Sequence, residues 1–178
     1  MKYGITLKRV VLTFLPVLIA AAFFIYINRP PSALPRGISV DRVHVNKKDR
    51  LLTLYAGMRP VQTYRVSLGE SPLGNKEREG DRRTPEGTYY IEIKNPRSDY
   101  HLSLLLSYPE LEDMERAEAR GDNPGCDIAL HGLKKGYGWL GRVHRIRDWT
   151  YGCIAVSNAE MDQIYYALEE GTLVEIEP

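Results

Sequence analysis

The stretch Arg-Val-His-Val-Asn-Lys-Lys-Asp-Arg-Leu-Leu-Thr-Leu-Tyr, residues 42–55, contains two strand patterns separated by a polar turn. Residues 42–46 alternate between polar and apolar side chains, which is typical of a strand with one buried face. Residues 51–55 are rich in residue types that favour strands, and the four polar residues 47–50 predict a turn between the two runs. The domain is therefore expected to contain a β-hairpin here.

Most of the chain beyond this hairpin also has the pattern of strands. Further strands are predicted over residues 61–68, 88–93, 102–108, 127–130 and 172–176. Helices are few. A short surface helix is predicted over 110–120, where Glu, Ala and Arg are frequent and a glycine follows.

A second, better-marked helix is predicted over residues 158–170. Ser157 and Glu160 have the spacing of a capping box, and Gly171 supplies a stop. Apolar side chains recur at helical spacing between them, at Met161, Ile164, Tyr165 and Leu168. The sequence thus indicates a mainly β domain with a few short helices.

The N-terminus has the pattern of a membrane anchor. Residues 10–27 are uncharged and mostly apolar, and as a helix they would extend roughly 27 Å, about the thickness of the bilayer interior. Basic residues in segment 1–9, namely Lys2, Lys8 and Arg9, predict a cytoplasmic N-terminus. We expect anchorage in an inner membrane, with a linker over 28–40 and one domain, 41–178, on the periplasmic side. A cleaved signal peptide and a buried soluble helix are the alternatives.

Charge argues against one class of partner. The chain has 24 basic and 23 acidic residues, and without Lys2, Lys8 and Arg9 the remainder has 21 basic residues and a net charge near −2. Nucleic-acid binding favours a basic patch or stripe, so no nucleic-acid partner is expected.

Cys153 and His131 are the candidate reactive pair. His131 lies at the end of a predicted strand, and Cys153 lies on a strand or turn just before the helix predicted over 158–170. An exported cysteine without an obvious disulfide framework needs an explanation. A thiol is mostly protonated at neutral pH, and histidine is the usual base that activates it. A structural bridge from Cys126 to Cys153, or simple core packing of both motifs, remains open at this point.

Two glycines flank the pair. Gly132 directly follows His131, permits an unusual backbone, and offers a carbonyl that would fix the tautomer of the imidazole. Gly152 directly precedes Cys153 and would let the backbone amides turn toward a developing oxyanion.

Several motifs in order resemble the L,D-transpeptidase catalytic domain of the YkuD type. They are residues 66–69, 80–89, 101–104, 107–109, 131–132, 152–154 and 157–158, and together they cover most of 41–178. The resemblance implies a mainly β, sandwich-like fold in which the Cys and His motifs meet in a cleft. It further implies attack of Cys153 on a diaminopimelate to D-alanine bond of a peptidoglycan stem peptide, with His131 as base and then acid. It requires no metal and no cofactor.

The acceptor of the resulting thioester stays open. An amine would give transpeptidation, and water would give an L,D-carboxypeptidase or an amidase that releases a wall-attached protein. A non-catalytic wall-binding domain is a third alternative, against which the intact Cys153 and His131 speak.

The chain departs from the pattern Ser-His-Gly-Cys-Ile-Arg that many members share. Tyr151 replaces a histidine, and Ala155 replaces an arginine often credited with binding a substrate carboxylate. Arg142 and Arg145 are the nearby candidates to supply that contact.

Further substrate-binding candidates lie in the glycine-rich loop 132–149. His144 is one, with a role in capping the loop as its alternative. Trp139 belongs to an aromatic set for which a lid over the substrate and packing beneath the loop are both open. Outside the loop, Cys126 is expected to be a small buried residue, with oxidative pairing to Cys153 as the alternative.

Overall fold

A computed structural model describes residues 7–35 and 37–178. The chain divides into two compact units, one ending at Pro30 and the other comprising Pro31–Pro178. The first contains helix α1, Leu7–Ile27, which includes Pro16. The second contains all the strands that the structure describes and is the unit relevant to chemistry.

The predicted membrane anchor is not supported by the structure. Across residues 7–35 and 37–178, no helix has the length and apolarity that a membrane span requires. The predicted cytoplasmic segment 1–9 lies largely outside the described residues, since its first six positions are not among them.

Within residues 37–178, eight strands are joined by hydrogen bonds into one mixed sheet. They are β1 Arg42–Asn46, β2 Leu51–Ala56, β3 Arg59–Arg65, β4 Gly87–Asn95, β5 Ser103–Leu106, β6 Ala129–His131, β7 Ile154–Ala155 and β8 Leu173–Glu177. Their order in the sheet is β3-β2-β1-β8-β4-β5-β6-β7. The mainly β prediction is confirmed. β4 pairs with β8 through its first residues and with β5 through its later ones, so the strands form two parts that share β4 and the architecture is a half-barrel with few short helices.

The predicted hairpin is present at one end of this sheet. β1 and β2 pair antiparallel, with Asn46 opposite Leu51 across the turn. On its other side β1 pairs parallel with the C-terminal strand β8, where Val43 lies opposite Val174. The last strand therefore joins the hairpin to the half of the sheet that carries β4 to β7.

Two helices accompany the sheet in this unit, α2 Leu111–Glu118 and α3 Asn158–Ala167. The predicted capping box starts α3, because the Ser157 and Glu160 side chains each bond the other's backbone amide. Met161 and Ile164 of α3 are fully buried in the same core cluster as the inward-facing strand residues. α3 therefore packs against the strands, and it follows β7 closely along the chain.

A long connection between β6 and β7 completes the unit. It contains a 3₁₀ segment, Gly138–Ile146, which is broken by non-helical backbone at Gly141. Glycines and single aromatic residues gave this segment no helical period, so the sequence did not predict it.

Candidate active site

Two neighbouring strands deliver the reactive pair. His131 is the last residue of β6, and Cys153 immediately precedes β7. β6 and β7 pair in parallel, with Leu130 opposite Ile154 and His131 opposite Ala155. The sheet register therefore brings together two residues that are 22 positions apart in the sequence.

Cys153 and His131 line one cleft of about 260 Å³. Its remaining walls come from three connecting segments and from β5 and β6. The full lining is Ser98, Tyr100, Ser103, Asp127, Ala129, His131, Trp149, Thr150, Tyr151 and Cys153.

His131 is held as a neutral base. Its ring is buried, and its Nδ1 lies 2.6 Å from the Gly132 carbonyl oxygen, which accepts a hydrogen bond when Nδ1 carries the proton. This tautomer leaves Nε2 with a lone pair. Burial lowers the pKa of His131 to about 4, against which the Gly132 carbonyl acts in the opposite direction. The imidazole is thus uncharged at neutral pH and able to accept a proton.

Cys153 is held as a neutral thiol. Its Sγ–H donates to the carbonyl oxygen of Asp127 at 3.5 Å. Burial raises the pKa of the thiol, the Asp127 charge raises it further, and a hydrogen bond from the Ala129 amide to sulfur partly opposes both. The resting pair is therefore a thiol and an imidazole, and not a thiolate and an imidazolium.

The backbone before Cys153 requires glycine. Gly152 has φ +133°, and a Cβ there would lie 2.7 Å from the Arg83 carbonyl oxygen. Its amide N–H donates to Thr150 Oγ1 at 3.2 Å, while Thr150 Oγ1 donates to the Cys153 carbonyl at 2.7 Å. In this resting arrangement the Gly152 amide already has an acceptor, which the oxyanion prediction did not include.

Gly132 is required by close packing. A Cβ at Gly132 would lie 2.9 Å from Asn158 Oδ1 and 3.0 Å from the His101 Cβ. Its φ is not positive, so the unusual backbone that the sequence suggested is absent there.

Aromatic rings enclose the imidazole. The Tyr100 ring centroid lies 4.6 Å from that of His131, and the Trp149 centroid lies 5.9 Å away at a steep angle. Trp149 was foreseen only as a loop aromatic, and Tyr100 was not foreseen. The signal for Tyr100 was weak because its loop lacks any period, and only its position beside the 101–104 motif was available.

His144 lies behind this aromatic wall. Trp149 Nε1 donates to His144 Nδ1 at 3.2 Å, and Ser67 Oγ contacts the same nitrogen at 3.2 Å. Burial lowers the pKa of His144 to about 4, and the nearby Arg145 charge lowers it further. His144 lines a neighbouring cavity of about 560 Å³ rather than the Cys153 cleft, and Trp149 is the residue that borders both.

The two arginines predicted to bind substrate have another partner. Arg142 Nε lies 3.0 Å from Glu160 Oε1, and Arg145 Nη2 bonds Glu160 Oε2. Glu160 is only 2% exposed, and its pKa is held below the ordinary value by Arg145 and Arg142 against the effect of burial. Neither arginine lines the Cys153 cleft. They fasten the 3₁₀ segment to the start of α3, a tertiary contact that sequence spacing does not show.

Tyr151 and Trp139 have different positions. Tyr151 lines the Cys153 cleft with 71% of its surface exposed. Trp139 is 68% exposed and lines neither the cleft nor the neighbouring cavity. Of the loop aromatics, Trp149 lines the cleft and Trp139 does not, and a lid stays a prediction.

Cys126 is exposed and not buried as the sequence suggested. Its thiol donates to Asp127 Oδ2 at 3.2 Å, and this contact raises the pKa of Cys126. Cys126 and Cys153 are both free thiols. Across the described part of the chain, no three His, Cys, Asp or Glu side chains converge in a way that would hold a metal ion.

Comparison with known proteins gives consistent matches. The family model of the L,D-transpeptidase catalytic domain, YkuD, matches residues 40–176. The Escherichia coli (strain K12) protein YafK is 24% identical over 131 residues, which is 69% of this chain and 45% of YafK. The chain therefore spans less than half the length of this curated relative.

Solved structures match as well. The helical cell shape determining protein Pgp2 from Campylobacter jejuni superposes with a TM-score of 0.61 at 25% identity, over 88% of this chain and 54% of that one. The L,D-transpeptidase from Xylanimonas cellulosilytica has a TM-score of 0.51 at 20% identity, over 81% and 63% of the two chains. At that identity the second likeness concerns the fold alone.

Proposed function

Because the chain belongs to the L,D-transpeptidase catalytic domain family, we propose that it transfers an acyl group of a peptidoglycan stem peptide through a thioester on Cys153. The observation that carries the proposal is the placement of Cys153 and His131 in one cleft, with the Gly132 carbonyl directing the free lone pair of His131 to Nε2.

The first half-reaction follows from the neutral resting pair. His131 Nε2 takes the thiol proton as Cys153 Sγ bonds to the carbonyl carbon of the scissile diaminopimelate to D-alanine amide. Nε2 then returns that proton to the amide nitrogen, the carbon–nitrogen bond breaks, and D-alanine leaves as the amine. The enzyme retains the acyl group as a thioester, and the charges balance without an external proton.

The oxyanion of the tetrahedral intermediate needs hydrogen-bond donors. The Cys153 amide is the donor that we assign first, since it is adjacent to the attacking sulfur. The Gly152 amide becomes a second donor when its N–H exchanges Thr150 Oγ1 for the charged oxygen. One such donor is worth about 3 kcal/mol of barrier.

The second half-reaction repeats these steps in reverse with a new nucleophile. His131 Nε2 takes a proton from an incoming amine, which attacks the thioester, and Cys153 leaves as thiol. Water in place of the amine gives hydrolysis and a trimmed stem. We propose transpeptidation as the first function and L,D-carboxypeptidase or amidase hydrolysis as the second, for which the departure at Ala155 from the usual arginine is the specific observation.

The proposed substrate determines where the domain must act. Peptidoglycan lies outside the cytoplasmic membrane, so we propose that residues 41–178 are extracytoplasmic and that the apolar stretch 10–27 directs this export. Protease added to intact spheroplasts should then degrade the domain, and full protection from protease would contradict this location.

The function is tested with the purified chain and a disaccharide tetrapeptide from peptidoglycan. Liquid chromatography with mass spectrometry separates a crosslinked dimer, a tripeptide stem and released D-alanine. We expect wild type to release D-alanine and Cys153→Ala to release none, while Cys126→Ser matches wild type. Equal D-alanine release by Cys153→Ala would refute the proposal, and the ratio of dimer to tripeptide decides between the two functions.

A further inference from the structure

The proposed substrate carries carboxylates that the site must recognise. A diaminopimelate residue followed by a terminal D-alanine has free carboxylates on both sides of the scissile amide, and arginine is the side chain best suited to bind them. Recognition of these carboxylates rests on the proposed function, because it concerns how the same cleft selects that substrate.

The positions expected to supply this cation do not reach the cleft. Arg142 and Arg145 are both engaged by the buried carboxylate of Glu160. The side chain of Ala155 is fully buried, and its backbone N–H and C=O both bond to Ser67. An inward-packed strand position of this kind is unsuited to presenting a charge to a ligand.

Arg82 is not itself in the lining of either cavity, but it lies beside Tyr151, which lines the Cys153 cleft. Its guanidinium carbon lies 5.1 Å from the centroid of the Tyr151 ring, and Tyr151 lines the cleft that contains Cys153. A guanidinium in this position is attracted by the face of the ring, which holds it at the cleft margin. The contact therefore links a cation to the residue that directly precedes the Gly152-Cys153 segment.

The backbone of Arg82 is fixed in place. Arg82 has φ +58°, and its carbonyl oxygen accepts a hydrogen bond from the Ser71 amide at 3.1 Å. The next residue, Arg83, packs its carbonyl oxygen against Gly152, where any Cβ would clash. The turn that carries Arg82 is thus packed directly against the segment that carries the nucleophile.

The guanidinium has capacity for another ligand. Arg82 Nη1 bonds to Glu70, and the two side chains are 47% and 40% exposed. An ion pair this exposed adds little stability, so a substrate carboxylate can share or replace it at small cost. Arginine has five N–H donors, of which this contact uses one.

We propose that Arg82, held on the Tyr151 ring, binds the free carboxylate of the stem peptide that flanks the scissile amide. This assigns to Arg82 the role of selecting carboxylate-bearing stems, while Glu70 competes with the substrate carboxylate for the guanidinium. The carboxylate belongs either to the terminal D-alanine or to the diaminopimelate side chain.

The test compares three synthetic tetrapeptide stems: one with both carboxylates free, one amidated at the terminal D-alanine, and one amidated at the diaminopimelate side chain. For each, kcat/KM of D-alanine or D-alaninamide release is measured with wild type, Arg82→Gln, Arg82→Lys and Arg120→Gln. Arg120 is the matched control, since it forms a comparably exposed pair with Glu77, at 44% and 41%, whereas the cation over the Tyr151 ring is Arg82.

Wild type and Arg120→Gln should both prefer the fully free stem over one of the amidated stems by about 10- to 100-fold, as expected for a charge-assisted pair. Arg82→Gln should abolish that preference, chiefly through KM, and Arg82→Lys should restore part of it. The amidated stem that wild type disfavours, and that Arg82→Gln accepts as well as the free stem, identifies the carboxylate that Arg82 binds.

A preference that survives unchanged in Arg82→Gln overturns the assignment, as does an equal loss in Arg120→Gln. Glu70→Gln provides an independent check if Arg82→Gln folds poorly, because removing the competing carboxylate should strengthen the preference several-fold. A weaker preference in Glu70→Gln also overturns the assignment. Wild type that is inactive on all three stems refutes the proposed function instead, so the two failures are distinguishable.

Discussion

The charge state of the resting Cys153–His131 pair is the structure's sharpest prediction. Burial lowers the pKa of His131 to about 4 and raises the pKa of Cys153 above its ordinary value of 9.0. Both shifts favour the uncharged forms. The perturbation that probes them is replacement of His131 by Asn, which retains a polar side chain but removes the base.

The expected magnitude follows from these values. A thiol with a pKa of 9.0 or more has at most about 1% thiolate at pH 7. As long as the pH stays below the pKa, each pH unit of increase raises the thiolate fraction about tenfold. A thiolate–imidazolium pair would instead be almost fully ionised at pH 7, and hence roughly 100-fold more reactive. The two charge states therefore differ by an amount that a simple rate measurement resolves.

The assay is alkylation by iodoacetamide between pH 5.5 and 8.5, with the modified cysteine identified by peptide mapping. The exposed Cys126 serves as an internal reference, because its pKa is also raised but by contact with Asp127. We expect the alkylation rate of Cys153 to rise steadily across this range, and His131→Asn to change it by less than about threefold at pH 7. A plateau of high reactivity from pH 5.5 upward that disappears in His131→Asn would refute the neutral pair.

Three further predictions concern the scaffold around the site. Gly152→Ala should lower kcat/KM by at least about 100-fold, because the added Cβ displaces the segment that carries Cys153, and D-alanine release measures this. Glu160→Gln should lower the free energy of unfolding, measured in urea, by about 3 kcal/mol, because two part-buried arginines lose their counter-charge. The control Glu169→Gln should lower it by under about 0.5 kcal/mol, since the Glu169 side chain is 84% exposed. Acid should destabilise the fold, because the pKa of both His131 and His144 is about 4 in the folded chain and 6.5 in the unfolded one. The unfolded chain therefore binds protons first as the pH falls, and each histidine lowers the free energy of unfolding by about 2 kcal/mol between pH 7 and pH 5.

Each of these has an outcome that contradicts it. Wild-type kcat/KM in Gly152→Ala would mean that the close approach to Arg83 is not maintained in solution. Equal unfolding midpoints for the two glutamate variants would remove the role given to the buried ion pair. His144→Asn should lose less stability than wild type between pH 7 and pH 5, and an identical loss would show that His144 is not buried in its neutral form.

Local pattern predicted the secondary structure near the site well. The alternation over residues 42–46 and the capping box at Ser157 are each specified by neighbouring residues, and both occur as expected. The strand β7 has only two residues and shows no period, so the sequence predicts no more than a strand or a turn beside Cys153. The strand order does not follow from local pattern, because β8 joins the hairpin to β4 through pairings between distant parts of the chain.

The candidate site was predictable where motifs determine it and not where tertiary contacts do. Cys153 and His131 share a cleft, as motif order suggested, although their catalytic roles stay predictions. The arginines of the 132–149 loop were misassigned because a carboxylate buried by α3 captures them, and exposure cannot be inferred from charge alone. Arg82 went unnoticed as a site residue because it lies 69 positions before Tyr151, whose ring it covers.

The central claim is that Cys153 carries the acyl group. Its most direct test is mass spectrometry of the intact chain, quenched in acid within seconds of mixing with a tetrapeptide stem. We predict an added mass equal to the stem minus D-alanine, mapped to Cys153 and removed by hydroxylamine, and absent in Cys153→Ala. Release of D-alanine without any adduct on Cys153, or the same adduct in Cys153→Ala, would contradict the account.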